Sequence, residues 1–288
     1  MSYHTNFDKK NNEIVKSVYI NIDSRDRNVN QYPNTNNYRI KLLNHKIKNI
    51  KKIELISAKI PKTNYIVNST NNIIDFVENS VNYTITLTEG NYTLSTLSTE
   101  IQNELNGLLT ANTYSVSIDS NTLKMTINRS SGTNSFSLLF ASGSNADTID
   151  SDGQVIKGSS SRILMGFNIA DVTDTSGTIT SQNLVNLQGE NEIYIEINNF
   201  MGHIDTIKSD NNKLKGKIFA VIDMNVNSNE IKYFNHNEKK IEKEYFPYMN
   251  NLGFLDIKFK DYYGNLYDFR GNDNTLLLKV YYVEKLFI

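Results

Sequence analysis

The stretch that decides the fold runs from Leu252 to Glu284 and reads LGFLDIKFKDYYGNLYDFRGNDNTLLLKVYYVE. Its first part, residues 255–260, alternates apolar and polar side chains, and residues 276–283 form a second run of β-forming residues. Tyr263-Gly264-Asn265 supplies a turn between the two runs. The stretch therefore predicts two strands joined by an ordered loop, which together close a β-sheet.

The charged residues of this stretch alternate with packing residues and do not converge on a pocket, and the sequence contains no catalytic motif.

The chain has 288 residues, a hydrophobic share of 39%, no Cys and a net charge of −1. The absence of Cys excludes disulfides, thiolate zinc sites and a cysteine nucleophile, and it is typical of a reducing compartment. A near-neutral charge provides no global basic field for nucleic acid. We find no signal peptide and no membrane-spanning run, and we expect a soluble protein that is not exported.

Alternating runs continue on both sides of the middle of the chain. The earlier ones are residues 17–22, 38–42, 50–60 and 71–77; the later ones, besides the opening stretch, are residues 192–197 and 217–222. The connections among the earlier runs are short and helix-free, which favours an antiparallel sheet. One four-stranded sheet would leave a large apolar face uncovered, so both groups are predicted to form a single β-sandwich.

The middle of the chain has a different pattern. After a strand at residues 83–87, leucine and isoleucine recur at helical spacing from Leu94 to Leu108, with Thr93 as the predicted N-cap and Gly107 as the stop. Three strands follow at hairpin spacing, at residues 114–118, 123–127 and 136–140, and residues 161–167 are predicted to pack as a short turn against them. This region is predicted to be a compact α+β module.

These patterns give a mainly β fold class: a single β-sandwich with a small α+β domain inserted in one loop. The predicted boundaries are a flexible N-terminal arm at 1–15, a discontinuous sandwich at 16–78 and 190–288, an inserted module at 79–170 and a linker at 171–189.

The most informative charged cluster is Asp23-Ser24-Arg25-Asp26-Arg27, at the end of the first predicted strand. Alternating charges at a strand end can pair within the chain. They can equally pair across a subunit boundary, where the guanidinium groups of Arg25 and Arg27 would hold a neighbour's carboxylates. Asp23, Arg25, Asp26 and Arg27 are therefore candidate subunit-interface residues, and the intrachain alternative stays open.

Other patterns favour ordinary structure over chemistry. The histidines His4, His45, His203 and His236 include no pair at metal-ligand spacing, so we predict neither a zinc site nor a histidine base. The acidic run Asp147, Asp150, Asp152 is similar to a calcium loop, but Ser161 stands where the closing glutamate is needed. The basic run Lys46, Lys48, Lys51, Lys52 is predicted to be a solvated strand end. We predict no catalytic residue, metal or cofactor.

Several segments resemble those of a known family: an opening strand that ends in IDSRDR, the run KIELISAKIPKTNY, the strand and helix YTITLTEGNYTLSTLSTEIQNELN, the tetrapeptide LMGF, and LDIKFKDYYGNLYDFRG. They resemble minor capsid proteins of large nucleocytoplasmic DNA viruses, and within these the penton (vertex) proteins of giant viruses and virophages. The resemblance implies a single jelly-roll β-sandwich, five copies at each fivefold vertex, and an outward-pointing domain in one loop. The resemblance also matches a segment that recurs in the family to Asp23, Arg25, Asp26 and Arg27 of this chain. It implies no role for these four residues.

The resulting hypothesis is a non-enzymatic virion structural protein that forms the capsid vertex as a homopentamer. The expected partners are further copies of the chain, the major capsid protein and other minor capsid proteins, with no nucleic acid and no membrane insertion. The expected location is the virion, after assembly in the host cytoplasm. The main alternative is a viral fibre or receptor-binding protein that recognises a glycan or host protein, for which exposed Tyr262, Tyr263 and Tyr267 would line a groove. An all-β hydrolase or lyase with paired carboxylates is a second alternative.

Overall fold

The computed structural model describes residues 4–8, 13–42, 47–197 and 218–284. It divides the chain into two compact units: unit 1 comprises Met1–Asn64 with Glu190–Ile288, and unit 2 comprises Tyr65–Gly189. Both units are built mainly from antiparallel strands, which confirms the predicted mainly β class.

Strands and helices follow one another along the chain in three groups. The first group, in unit 1, is β1 His4–Asp8, β2 Glu13–Asp23, a single 3-10 turn Ser24–Asp26, β3 Asn37–Lys41 and β4 Ile47–Pro61. The second, in unit 2, is β5 Ile73–Glu78, β6 Val81–Thr86, α1 Leu94–Gly107, β7 Thr113–Ile118, β8 Met125–Ser131, β9 Phe136–Leu138, β10 Thr148–Ile149, β11 Val155–Ile156, α2 Arg162–Met165, β12 Val172–Thr173 and β13 Thr178–Thr180. The third, again in unit 1, is β14 Glu192–Ile197, β15 Ile218–Asp223, β16 Ile231–Asn235, β17 Ile241–Leu252, β18 Phe254–Lys260 and β19 Thr275–Glu284.

Unit 1 contains two antiparallel sheets. The first has the order β1-β2-β19-β4-β16, and β17 pairs with β4 beside β16. Because β16 pairs with residues 57–61 of β4 and β17 with residues 47–55, the two strands share one position in the sheet. The second sheet has the order β15-β14-β18-β3. The two runs of the opening stretch are thus confirmed as β18 and β19, and β19 lies between β2 and β4.

One hydrophobic core joins the two sheets of unit 1. Strict alternation places Leu255, Ile257 and Phe259 of β18 and Leu278 of β19 on inward faces, where each is fully buried. Burial of such a side chain contributes about 1.5–3 kcal/mol relative to exposure. Residues from both sheets meet in this core, and unit 1 is therefore a β-sandwich.

The predicted N-terminal arm contains a strand. β1 pairs antiparallel with β2 in the register His4↔Ser17 to Asp8↔Glu13, and β2 begins at Glu13, inside the predicted arm. The physical reason is that the outer edge of β2 offers backbone N–H and C=O groups that a further strand can satisfy, whatever its side chains. The remaining arm residues, 1–3 and 9–12, lie outside the described ranges.

The boundary between the units differs from the predicted one. The sequence pattern assigns residues 71–77 to the sandwich, but β5 pairs with β6 and β9 inside unit 2, where Phe76 is fully buried. Residues 171–189, predicted to be a linker, contain β12 and β13, which pair with β9 and β8. Buried Ile179 anchors the second of these strands in the core of unit 2. The sequence pattern does not reveal these two short strands, because their exposed faces carry polar Thr and Ser residues that are also typical of linkers.

The helix of the predicted α+β module is confirmed. Thr93 caps α1 by accepting a hydrogen bond from the backbone N–H of Thr96, and Leu97, Ile101 and Leu105 form its buried face. β7, β8 and β9 correspond to the three predicted strands, and α2 corresponds to the predicted turn at 161–167. Among the described helices, none has the length and apolar character needed to cross a lipid bilayer.

Candidate subunit interface

The sequence-predicted charged cluster forms the corner where β2 ends. Asp23 is buried, and its carboxylate accepts two hydrogen bonds from the Arg25 side chain, at 2.9 Å from Nε and 2.5 Å from Nη2, and one from the Arg25 backbone N–H at 2.9 Å. The side-chain hydrogen bond from Arg25 is the main cause that holds the pKa of Asp23 below its usual value. Although Arg25 is paired in this way, 70% of its side chain remains exposed.

Arg27 has a different role at the same corner. Its guanidinium donates hydrogen bonds to three backbone carbonyl oxygens, those of Ser24 at 2.8 Å, Tyr32 at 3.0 Å and Pro33 at 3.1 Å. Only 13% of its side chain is exposed. Arg27 therefore fastens the corner to the loop that follows it, as the intrachain alternative requires.

The corner is also connected to the segment before β19 by a network that the sequence does not predict. The side chain of Asn274, fully buried, accepts a hydrogen bond from the Tyr38 hydroxyl at 2.8 Å and donates one to the carbonyl oxygen of Thr35 at 2.8 Å. The Ser24 hydroxyl donates to the Asp273 carboxylate at 2.6 Å. No sequence pattern marks Asn274, because a buried asparagine and a turn asparagine look the same in a chain this rich in Asn.

The four candidate residues thus separate into two pairs. Asp23 and Arg27 have their polar groups directed to partners within the chain, whereas Arg25 and Asp26 are exposed. The interface prediction for this corner therefore rests on Arg25 and Asp26.

We predict different consequences for the two arginines. Arg27→Ala should lower the free energy of unfolding by about 2 kcal/mol, because three carbonyl groups lose charge-assisted donors. Arg25→Ala should have a clearly smaller effect, because the guanidinium of Arg25 is mostly exposed to water and Asp23 keeps the hydrogen bond from the backbone N–H of residue 25. Urea unfolding followed by far-UV circular dichroism measures both, since the chain has no Trp for fluorescence. Equal losses for the two variants would contradict the separation of roles.

A second candidate surface lies at the edge of the first sheet formed by β16 and β17, which we call the β16–β17 edge. Three large apolar side chains are exposed there: Ile231 at 44%, Tyr233 at 60% and Phe246 at 100%. Phe246 belongs to residues 245–248, which leave the ladder with β4 at a register shift. Ile231 and Tyr233 share the exposed face of β16, whereas Phe246 lies further along the same edge, opposite the other end of β4. Exposed apolar side chains on a sheet edge are typical of protein contact sites.

The tyrosines expected to line a groove are only partly exposed. Tyr267 is buried in the core of unit 1, so it cannot line a groove. Tyr262 and Tyr263 are 50% and 39% exposed and pack edge to face, with ring centroids 5.2 Å apart. This exposed pair is what remains of the predicted tyrosine cluster.

Metal-binding patterns in the sequence take structural roles where the chain is described. Asp147 is fully buried, and its Oδ2 lies 2.7 Å from Nη2 of Arg162 and 3.1 Å from Nζ of Lys157. The Asp147 carboxylate of the calcium-like pattern is thus paired with two basic side chains of the same chain.

The histidines also have no metal-binding arrangement in the described ranges. Nδ1 of His236 lies 3.6 Å from Oε1 of Glu54, whereas His45 and His203 fall outside those ranges. No cluster of three or more His, Cys, Asp or Glu residues suited to a metal occurs in the described parts of the chain.

The basic run also has structural partners. Lys52 lies on β4 and donates to the Glu242 carboxylate at 2.7 Å, across the pair of β4 and β17. Lys48 and Lys51 lie on the same strand, and Lys46 lies outside the described ranges. The prediction of a solvated strand end is therefore wrong for Lys51 and Lys52, because β4 begins at Ile47 and places both inside the strand, partly buried.

Comparisons with known proteins give a family and a similar solved structure. The model of a family of unknown function, DUF5901, matches residues 9–155, about half of the chain. A comparison with curated proteins gives no match. Among solved structures, the chain is similar to a penton protein of mavirus, with 12% identity, a TM-score of 0.42, and coverage of 93% of this chain and 99% of that chain.

Proposed function

We propose that the chain, which belongs to the DUF5901 family of unknown function, is a non-enzymatic virion structural protein that assembles with copies of itself at the capsid vertex. The observation that carries this proposal is the order of the strands in unit 1. The resemblance of segments such as IDSRDR and LDIKFKDYYGNLYDFRG to penton proteins of large DNA viruses and virophages supports it from the sequence.

We propose that unit 1 is a jelly roll, and its strand order supports this proposal. Counting β16 and β17 as one position, the eight strands are β2, β3, β4, β14, β15, β16–β17, β18 and β19. Numbered from 1 to 8 in this order, the first sheet has the order 1-8-3-6 and the second has the order 2-7-4-5. Each connection between strands 1 to 4 and 5 to 8 crosses from one sheet to the other, as in two nested Greek keys. Jelly rolls are common in viral capsid proteins, although the fold alone does not fix the function.

Unit 2 occupies the connection between β4 and β14. We propose that it is a domain inserted in this loop of the jelly roll, with its own core around Phe76 and Tyr114. An insertion with a separate core leaves the strand order of unit 1 intact, which explains how one chain combines both units.

Self-assembly would use the β16–β17 edge and the exposed part of the Asp23–Arg27 corner. A ring of identical subunits needs a heterologous contact, in which one patch meets a different patch on the neighbour. Ile231 and Tyr233 would supply the apolar centre of such a contact, Phe246 a further apolar contact along the same edge, and Arg25 and Asp26 its charged rim. We propose a pentamer bounded by the major capsid protein and other minor capsid proteins, assembled in the host cytoplasm without nucleic acid or membrane insertion.

Size-exclusion chromatography with multi-angle light scattering, run on the purified chain at micromolar concentration, tests this proposal. We expect a main species of five times the chain mass of 32.9 kDa, and a single-chain species for the double variant Ile231→Lys/Tyr233→Lys, because two charges would be buried at the contact. Val81→Lys, at an equally exposed apolar position of unit 2, is the control and should leave the pentamer intact. A main species of three chains would favour the fibre or receptor-binding alternative, and a single-chain species at micromolar concentration would contradict self-assembly.

A further inference from the structure

Unit 2 contains a cavity of about 630 Å³ that the proposed capsid role does not use. Ligand sites in proteins are commonly about 300–1,000 Å³ in volume. Three parts of unit 2 surround it: Leu94 and Leu123, the segment 162–168 around α2, and the extended segment 183–188. Backbone hydrogen bonds hold the two segments together, from Asn183 N to Gly166 O at 2.9 Å and from Asn186 N to Leu164 O at 3.0 Å. The walls are therefore fixed by the fold.

The apolar part of the cavity has both buried and exposed side chains. Phe167 and Val185 line the cavity and are buried. Ile163 and Leu184, at 38% and 55% exposure, are among the large apolar side chains that unit 2 leaves in contact with solvent. A ligand with an apolar face could therefore cover side chains that are otherwise exposed to water.

The polar part consists of exposed asparagine side chains, some of whose hydrogen-bonding groups have no partner within the part of the chain that the structure describes and face water. Asn183 donates through Nδ2 to Oδ1 of Asn168 at 2.9 Å, and Oδ1 of Asn186 accepts from the backbone N–H of Gln188 at 3.0 Å. These bonds leave the Oδ1 acceptor of Asn183 and the Nδ2 donors of Asn168 and Asn186 for a ligand. The cavity thus offers donors and acceptors side by side.

The charge of the lining favours a neutral ligand. Arg162 is the one ionisable residue among those that line the cavity. Its Nη2 lies 2.7 Å from Oδ2 of buried Asp147, and its Nη1 donates to the carbonyl oxygen of Phe167 at 3.3 Å. The charge of the guanidinium is thus compensated within unit 2 by Asp147, while its buried Nε–H has no hydrogen-bond partner among the described residues and can donate to an uncharged acceptor such as a hydroxyl oxygen.

We infer that this cavity binds a neutral monosaccharide unit, such as the terminal residue of a glycan. Each sugar hydroxyl both donates and accepts, which matches the adjacent donors and acceptors of Asn168, Asn183 and Asn186. The C–H face of the ring would cover Leu184 and Ile163. This inference does not depend on the proposed capsid function, because the site lies entirely within unit 2.

Saturation-transfer-difference NMR on the full chain tests the inference. The probes are glucose, galactose, mannose, fucose and N-acetylglucosamine, with sialic acid as the charged comparison. We expect signal transfer to at least one neutral sugar. Two variants should weaken its binding at least tenfold: Leu184→Trp, which fills the mouth of the cavity from an exposed position, and Asn168→Ala/Asn183→Ala, which removes the amide pair. Asn82→Ala, an exposed asparagine of β6 outside the cavity, is the matched control and should bind as the parent chain does.

Three results would overturn the inference: no transfer to any neutral sugar, transfer to sialic acid alone, or equal transfer in the parent chain and the Leu184→Trp variant. Far-UV circular dichroism of each variant establishes that unit 2 is folded. This experiment measures sugar binding, whereas the test of the capsid proposal measures the mass of the assembled protein. Failure of one proposal can therefore be distinguished from failure of the other.

Discussion

Replacement of Phe259 by Ala should lower the free energy of unfolding of unit 1 by about 3–5 kcal/mol, the range for removal of a fully buried aromatic side chain. Phe259 is fully buried on β18, at the centre of an aromatic group. Its ring lies 6.5 Å from that of Tyr38 and 5.1 Å from that of Phe269. The substitution removes these contacts and leaves a cavity between the two sheets. A loss of this size is a large part of the 5–15 kcal/mol that stabilises an ordinary domain.

Urea unfolding combined with hydrogen exchange measured by mass spectrometry checks this prediction, because hydrogen exchange assigns the loss to β18 and its neighbours. Leu266→Ala is the control, since Leu266 belongs to unit 1 and is 45% exposed. It should cost less than about 0.5 kcal/mol. Similar losses for the two variants would mean that residues 255–260 do not face a shared core.

In unit 2, the largest effect is expected at Glu78. Its carboxylate is buried and accepts hydrogen bonds from the Tyr114 hydroxyl at 2.6 Å, the Asn112 backbone N–H at 3.1 Å and the Asn134 amide at 3.1 Å. Glu78→Ala would leave these donors without an acceptor beside the aromatic group of Phe76, Tyr114 and Phe136. We expect a loss of about 3 kcal/mol in the free energy of unfolding, because buried donors that lose a charged partner bear the full desolvation cost.

Glu78 also predicts how the stability of unit 2 depends on pH. Burial alone would raise the pKa of Glu78, but the hydrogen bonds from Tyr114, Asn134, Thr110 and Asn112 outweigh it, and the pKa is lowered. A carboxyl whose folded pKa is depressed contributes stability above its unfolded pKa of about 4.3 and loses it as the pH falls through the folded value.

Urea unfolding of the parent chain between pH 7 and pH 3 should therefore show a loss of stability in acid that is smaller in Glu78→Ala. Glu104→Ala, at a half-exposed position of α1, is the control and should retain the acid loss of the parent chain. An acid loss of the same size in Glu78→Ala and the parent chain would contradict the assignment to Glu78.

Local patterns in the sequence predict most of the strands and the longer helix. Alternation at residues 255–260 predicts β18, because one face of that strand is buried, and the run of β-forming residues at 276–283 predicts β19. The spacing of Leu97, Ile101 and Leu105 predicts α1 because all three pack on one side. In these elements, the side chains that decide the structure are neighbours in the sequence.

The sequence does not show which strands pair with each other. A run such as residues 71–77 looks the same whether it pairs in unit 1 or in unit 2, because its own alternation carries no information about the neighbouring strand. The candidate site has the same difficulty: the charges of Asp23 and Arg27 mark the corner, but only the fold brings Tyr32, Asn274 and Asp273 to it. Asp147 is a further example, because its partner Arg162 lies beyond an intervening hairpin.

Electron cryomicroscopy of particles from the source of this sequence tests the central claim most directly. We expect density at the fivefold vertices that fits five copies of an eight-stranded sandwich with strand orders 1-8-3-6 and 2-7-4-5, in contact through the β16–β17 edge. Vertices formed by another chain, in particles that lack this protein, would contradict it.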